Sequence, residues 1–236
     1  MHVVGDATTR AAGQHARASV VRLRLRTLLT LGVLAVATAA LGRTFGLQDE
    51  RFMFAELALL VSMFAISRYV LPLVDRRDRG ASAEEHVGRL LDRLDPTVWR
   101  VIHDASFGHG NVDHILVGPP GVFTVETKSH PGPVRVGRLH GATLRQAQAQ
   151  RDAVERITGA KVAPLLVFSR AWVDRPQARR KGVRVLSARM LLSYLLGRSK
   201  TLSYGDIEQV CERLDTALRD QAQIERLARS RRLLPR

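Results

Sequence analysis

Residues 111–128 read Asn-Val-Asp-His-Ile-Leu-Val-Gly-Pro-Pro-Gly-Val-Phe-Thr-Val-Glu-Thr-Lys. Two runs rich in β-branched and apolar residues, Val112 to Val117 and Val122 to Thr127, flank Gly118-Pro119-Pro120-Gly121. That pattern predicts a β-hairpin closed by a short turn. With the loop centred on the two prolines, Val117 opposes Val122, and counting back in antiparallel register sets Asp113 opposite Glu126. Directly opposed side chains have Cβ atoms roughly 4.5–5.5 Å apart, so two ionised carboxylates there repel unless a cation or a shared proton intervenes. Lys128 lies two residues beyond Glu126 and shares its strand face, because side chains alternate with period two. Two acids and a lysine therefore converge.

For an arbitrary Asp, Glu and Lys, a solvated cross-strand ion pair is the ordinary reading. Here both runs are apolar on both faces, as expected of strands in the middle of a sheet, where unpaired charge is costly. Mg²⁺ is usually held by one or two carboxylates, with water and substrate phosphate completing its octahedron. A lysine beside it can hold a phosphate oxygen or orient the attacking water. The expected chemistry is phosphodiester hydrolysis with Mg²⁺ or Mn²⁺, with Asp113 and Glu126 as metal ligands and Lys128 stabilising charge.

These residues also resemble a known family. Asp113 followed by Glu126-Thr127-Lys128 after a hairpin matches the PD-(D/E)xK nuclease pattern. Gly110-Asn111-Val112-Asp113-His114 with Gly118-Pro119-Pro120-Gly121-Val122-Phe123 is similar to its nuclease-related domain (NERD) branch, over roughly Arg79 to Ser187. The resemblance implies a restriction-endonuclease-like fold acting on nucleic acid, DNA ahead of RNA. It also implies two further site residues. In the family a glutamate at the start of a helix, usually after glycine, reaches the metal site, and Glu84 occupies that place, with Ala83 where the glycine is usual and Glu85 adjoining. A glutamine followed by alanine on a later helix supports the site, and Gln146-Ala147 fits, with Ala142-Thr143 in place of the Asn-Pro that often precedes it.

The chain has 236 residues and a net charge of +15, which points to anionic partners, nucleic acid or lipid headgroups, although Arg- and Ala-rich usage contributes to it. Cys211 is the only cysteine, which excludes an intramolecular disulfide and suits a reducing compartment. Residues 1–26 are expected to be a disordered basic N-terminus. Two uncharged or nearly uncharged stretches follow, Thr27 to Gly42 and Phe52 to Val74, each near bilayer length. Ala37-Thr38-Ala39 resembles a signal-peptide cleavage site, but the preceding region is long for one and a second apolar stretch follows at once. A buried soluble hairpin is the other alternative, and it would show an amphipathic stripe that these stretches lack. Arginines cluster before the first stretch (Arg22, Arg24, Arg26) and after the second (Arg76, Arg77, Arg79), so the positive-inside rule sets both ends in the cytoplasm. A two-helix anchor in the cell membrane is expected.

After a charged linker at Asp75 to Gly80, the spacing of Val87, Leu90, Leu91 and Leu94 predicts a helix with Ser82 as N-cap and Glu84 and Glu85 in its first turn. Val98 to His103 is a strand candidate, and His109 in the following glycine loop reads as an exposed histidine. His114 alternates away from Asp113, which makes it a packed residue. Val134 to Leu139, Val162 to Phe168 and Val183 to Ser187 are further strands, and Thr143 to Ile157, Met190 to Leu196 and Ile207 to Leu218 are helices. Gln148 and Gln150 read as solvated helix surface. The result is an α/β (α+β) domain on a mixed sheet over 79–187, followed by C-terminal helices and a basic tail over 188–236. No phosphate-binding glycine loop, zinc-spaced Cys/His cluster or serine-nucleophile elbow points to another enzyme class. The sequence leaves oligomeric state open. Its alternative function is a non-catalytic membrane-tethered module that holds nucleic acid or a partner in the same pocket.

Overall fold

A computed structural model of the chain describes residues 11–45, 50–107, 110–175 and 177–232. Two compact units divide it, one of His15–Ala81 and the other of Ser82–Arg236 with Met1–Gln14.

The first unit is built from α1 (Gln14–Phe45), α2 (Glu50–Ala65) and the beginning of α3 (Leu71–Leu91). A single widened helical turn, Ile66–Val70, joins α2 to α3, and the Leu71 N–H donates to the Ile66 carbonyl across it. The widening precedes Pro72, which has no amide hydrogen to continue the ordinary ladder. The stretches Arg17–Arg43 and Met53–Leu91 are long and apolar enough to cross a membrane. Leu28, Val33, Phe54, Leu60 and Phe64 are exposed along them. Thr27, Thr30 and Thr38 return their hydroxyl hydrogens to carbonyls four residues back, each at 2.9 Å, so these polar groups are satisfied within the helix itself.

Three expectations are corrected here. Residues 14–26 are not disordered but form the first turns of α1, with Arg22 donating to the Ala18 carbonyl at 3.2 Å; residues 1–10 lie outside the described residues. Ser82 is not an N-cap, and Asp75 to Gly80 is not a linker, because α3 runs through both. Arginine and alanine are strong helix formers. Arg76 and Arg79 donate back to the Pro72 and Asp75 carbonyls at 3.3 and 3.2 Å. Glu84 and Glu85 therefore stand in mid-helix, where a helix N-terminus does not account for them.

The second unit is a mixed six-stranded sheet flanked by helices. Its strands are β1 (Arg100–Ser106), β2 (Asn111–Gly118), β3 (Gly121–Lys128), β4 (Val162–Phe168), β5 (Arg179–Arg180) and β6 (Val183–Ser187), in the spatial order β1-β2-β3-β4-β6-β5. β1, β2 and β3 pair antiparallel, whereas β4 lies parallel to both β3 and β6. The hairpin register is the one counted from the sequence, with Val117 opposite Val122 and Gly118 opposite Gly121. Gly118 is required by its neighbour, since a Cβ there would stand 2.5 Å from the Trp99 ring.

Alternation along the strands fills three clusters. Leu116, Phe123 and Val125 pack with Val87 and Leu91 of α3 and with Leu191 and Leu195 of α5 (Ala188–Leu196). On the opposite face Ile115, Val117 and Val122 meet Val154 of α4 (Gly141–Thr158) and Val210, Leu214 and Leu218 of α6 (Tyr204–Arg232). Leu144 and Ala147 of α4 meet Leu166 and Phe168. Because α5 and α6 close two of these clusters, the folded unit does not end at residue 187. The strand expected at Val134 to Leu139 is reduced to one bridge, Val134 to Val173, and a tight turn at Val136–Arg138; Pro133 supplies no donor on one side and Gly137 interrupts the other. α6 runs past Leu218 to Arg232, so the basic tail is helical as far as it is described, and Arg236 lies outside the described residues. Cys211 is half-buried on α6, and burial pushes its thiol up to about 11.

Candidate active site

The β2–β3 ladder runs without a bulge to His114 opposite Val125, and the same count sets Asp113 beside Glu126. There the strands give way to side-chain bonding. Asp113 Oδ2 accepts the Thr127 N–H at 2.7 Å. Glu126 is 2 % exposed, and both of its oxygens are taken: Lys128 Nζ donates to Oε1 and Gln150 Nε2 donates to Oε2. Lys128 Nζ also donates to Gln146 Oε1 at 3.1 Å, and Gln150 Nε2 to the Asn111 carbonyl at 3.0 Å. Gln146 and Gln150 are four apart on α4 and so share one helix face, between Leu144, Ala147 and Val154 that pack inward. The sequence reading assigned Gln150 to solvated surface. It is buried, and its spacing from Gln146 was the available signal.

Glu84 projects toward this group from α3. Burial, then the negative charges of Asp104 and Glu126, push its carboxyl from the ordinary 4.5 to about 7. The Asp113 carboxyl is raised well above its ordinary value by burial and then by Glu126 and Glu84, against the lowering influence of the Thr127 N–H and Lys128. Asp104, a residue that sequence reasoning missed, belongs to the same acidic neighbourhood. The β1–β2 ladder pairs His103 with His114 and Ala105 with Val112, skipping Asp104 and Asp113, which the register sets face to face. Asp104 holds φ at 50°, accepts Asn111 Nδ2 at 3.3 Å and is buried. A non-glycine residue in that region costs about 1–3 kcal/mol and persists where surroundings impose it.

His114 turns to the opposite face, as alternation requires. Its Nδ1 lies 2.8 Å from His103 Nδ1, whose Nε2 lies 2.9 Å from Asp92 Oδ1. Burial and then the neighbouring His103 lower the His114 ring to about 3, so it stays neutral inside the core. His109 lies outside the described residues.

Among the described residues, no three His, Cys, Asp or Glu side chains form a ready-made metal cage. The donor set nevertheless fits a hard cation bound chiefly by water and substrate oxygens. Asp113, Glu126 and Glu84 interact with one another, and the charge of Lys128 acts on Asp113 and Glu84. Two carboxylates are a usual protein contribution to Mg²⁺. The two partners of the Lys128–Gln146 bond line different clefts. One, of about 490 Å³, is lined by Lys128, His130, Arg135, Arg138 and His140. The other, of about 460 Å³, is lined by Phe107, Val112, Ala153 and Ile157 with Gln146 and Gln150.

A stability prediction follows from Glu84. Between its ordinary 4.5 and about 7 the folded state keeps a proton that the unfolded chain has released. Folding stability without divalent cation should therefore fall as pH rises through that window, by an amount on the order of 2 kcal/mol, and Asp113 contributes in the same direction. Denaturant titrations at pH 5 and pH 8 in chelator check this, and added Mg²⁺ at pH 8 should restore part of the loss. Equal stability at the two pH values would contradict it.

Two opposed acids, a lysine on their strand face and a glutamine bonded to that lysine occupy the end of a hairpin inside residues 79–169. That span matches the nuclease-related domain. The NERD family profile covers the site elements from α3 through β4. A relative from Bacillus anthracis, described as an uncharacterized protein, is 33% identical over 82 residues, which cover 33% of this chain and 38% of the relative. The chain thus spans well under half of that relative's length. No solved structure matches the chain.

Proposed function

We propose that the chain is a membrane-anchored, cytoplasm-facing nuclease that hydrolyses phosphodiester bonds of nucleic acid, DNA ahead of RNA, with Mg²⁺ or Mn²⁺. One observation carries this reading. Asp113, Glu126 and Glu84 are held close enough that burial and mutual repulsion raise Asp113 and Glu84, against the Thr127 N–H at Asp113 and the charge of Lys128. A structural ion pair would balance its charges. An excess of acid beneath a basic cleft suits a divalent cation brought together with a polyanion.

Asp113 and Glu126 would hold the cation, which when bound would polarise the phosphodiester and stabilise negative charge. Lys128, oriented by Gln146, would meet the charge developing at phosphorus. Glu84, titrating near neutrality, is suited to exchange a proton at working pH. Gln150 holds Glu126 in place through its amide N–H. Arg135 and Arg138 would receive the flanking phosphates.

The test is cleavage of single- and double-stranded DNA and RNA by the full chain in mild detergent, with Mg²⁺, Mn²⁺, Ca²⁺ or chelator. Cleavage that needs Mg²⁺ or Mn²⁺ and stops with chelator is expected. Binding without any cleavage would instead leave a membrane-tethered binding module. The anchor is tested separately. Protease added outside intact spheroplasts should spare the domain and should digest it in inverted vesicles, because the arginines flank both apolar stretches on one side. Digestion from outside would overturn the orientation.

A further inference from the structure

We infer that the domain carries a second anion site, for a phosphate ester of nucleotide size, at the end of the sheet remote from Lys128. A cavity of about 560 Å³ opens where β3 and β4 begin, between α4 and α5. Val122 on its floor is six residues from Lys128, about 20 Å along the strand, so the cavity is separate from the two clefts described above. Its volume is that of a small-molecule site and exceeds the needs of a single phosphate.

The charge of the wall is one-sided. Arg151, Lys161, Arg179, Arg184 and Arg198 line it against one acid, Glu155. Glu155 is already engaged, since Oε1 accepts the Val162 N–H at 2.8 Å and Oε2 lies 3.9 Å from Arg151 Nε. Arg151 is held by Asp152 at 2.6 Å. Among the described residues, Lys161 and Arg179 have no carboxylate within ion-pair distance.

Two of the guanidiniums are fixed in place. Arg198 lies 5.4 Å from the Tyr194 ring and 5.9 Å from the Phe123 ring, and its Nη1 donates to the Tyr194 hydroxyl at 3.1 Å. Arg184 lies 5.5 Å from the Tyr194 ring, with Nη1 on the Gln177 carbonyl. In both residues Nε is buried and meets no acceptor. A buried donor without a partner is costly, and a guanidinium so placed has lost part of its solvation without gaining a counter-charge. An anion in the cavity would supply that counter-charge. Planar guanidiniums locked in position are the group best suited to phosphate oxygens. The apolar floor at the starts of β3 and β4 gives a nucleoside a surface to lie on, which bare phosphate would not use.

The full chain in detergent, with chelator present so that divalent cations contribute nothing, is titrated calorimetrically with ATP, tripolyphosphate, inorganic phosphate and a 5′-phosphorylated DNA octamer. ATP should bind saturably with Kd of roughly 10–100 μM, and inorganic phosphate at least about tenfold more weakly. The double variant Lys161→Glu, Arg179→Glu changes two exposed side chains that pack no core. It should weaken ATP at least about tenfold while leaving the melting temperature and cleavage at the other end of the sheet unchanged. Arg198→Gln should weaken ATP as well. No saturable ATP binding at about 1 mM, an unaltered Kd in the double variant, or binding confined to the octamer would overturn the proposal.

Discussion

Lys128→Ala should lower Mg²⁺-dependent cleavage by roughly 10²–10³-fold, the usual cost of removing one group that stabilises charge in the transition state. The structure gives this lysine an orienting partner on each side, Glu126 on its own strand and Gln146 on α4. Its side chain is 34 % exposed, so it is reachable by substrate, whereas Glu126 beneath it is not. Nucleic-acid binding in Ca²⁺ should change little, with the salt dependence falling by about one phosphate contact. Cleavage within a few-fold of the parent would remove Lys128 from the chemistry and reduce it to a counter-ion for Glu126.

Asp113→Asn should produce opposite effects on stability and function. Ionised Asp113 is buried beside Glu126 and Glu84, an unfavourable arrangement in the absence of cation. The amide keeps an oxygen for the Thr127 N–H, which is now accepted at 2.7 Å, and removes one negative charge. In chelator at pH 8 the variant should melt about 5 °C or more above the parent. Its melting temperature should no longer respond to Mg²⁺, and cleavage should be lost. A variant that melts lower and still responds to Mg²⁺ would show that Asp113 serves packing rather than cation binding. Stability given up at a site in this way is a common accompaniment of function.

The hairpin could be read from sequence because its signals are local. Two prolines between glycines fix the turn, the β-branched runs fix the strands, and together they fix which side chains meet. The same locality recovered Val162 to Phe168 and Val183 to Ser187. What escaped depended on distant pairing or on helix continuity. Asp104 comes opposite Asp113 only once the β1–β2 register is known, and the connection from Phe107 to Gly110 does not declare its length; its positive φ is also foreign to an ordinary strand. Gln150 looked like one of three alternate glutamines until α4 was set against β3. Ser82 looked like a cap because the run before it is charged, yet charged residues with high helix propensity carried α3 straight through. Resemblance supplied Glu84 and Gln146, and the geometry added the partners of each.

The two-residue β5 has a consequence for how copies of this chain behave at high concentration. An outer strand offers unpaired amides and carbonyls to any other extended segment, which is the route to sheet-mediated aggregation. At one of the sheet's two edges the outer strand is Arg179–Arg180, with Arg179 opposite Arg184. Two residues are too few to template a partner strand, and an identical edge from another copy would bring arginine against arginine. The positive charge on this side of the sheet therefore also limits its growth, and colloidal solubility is built into the same residues that line the neighbouring cavity.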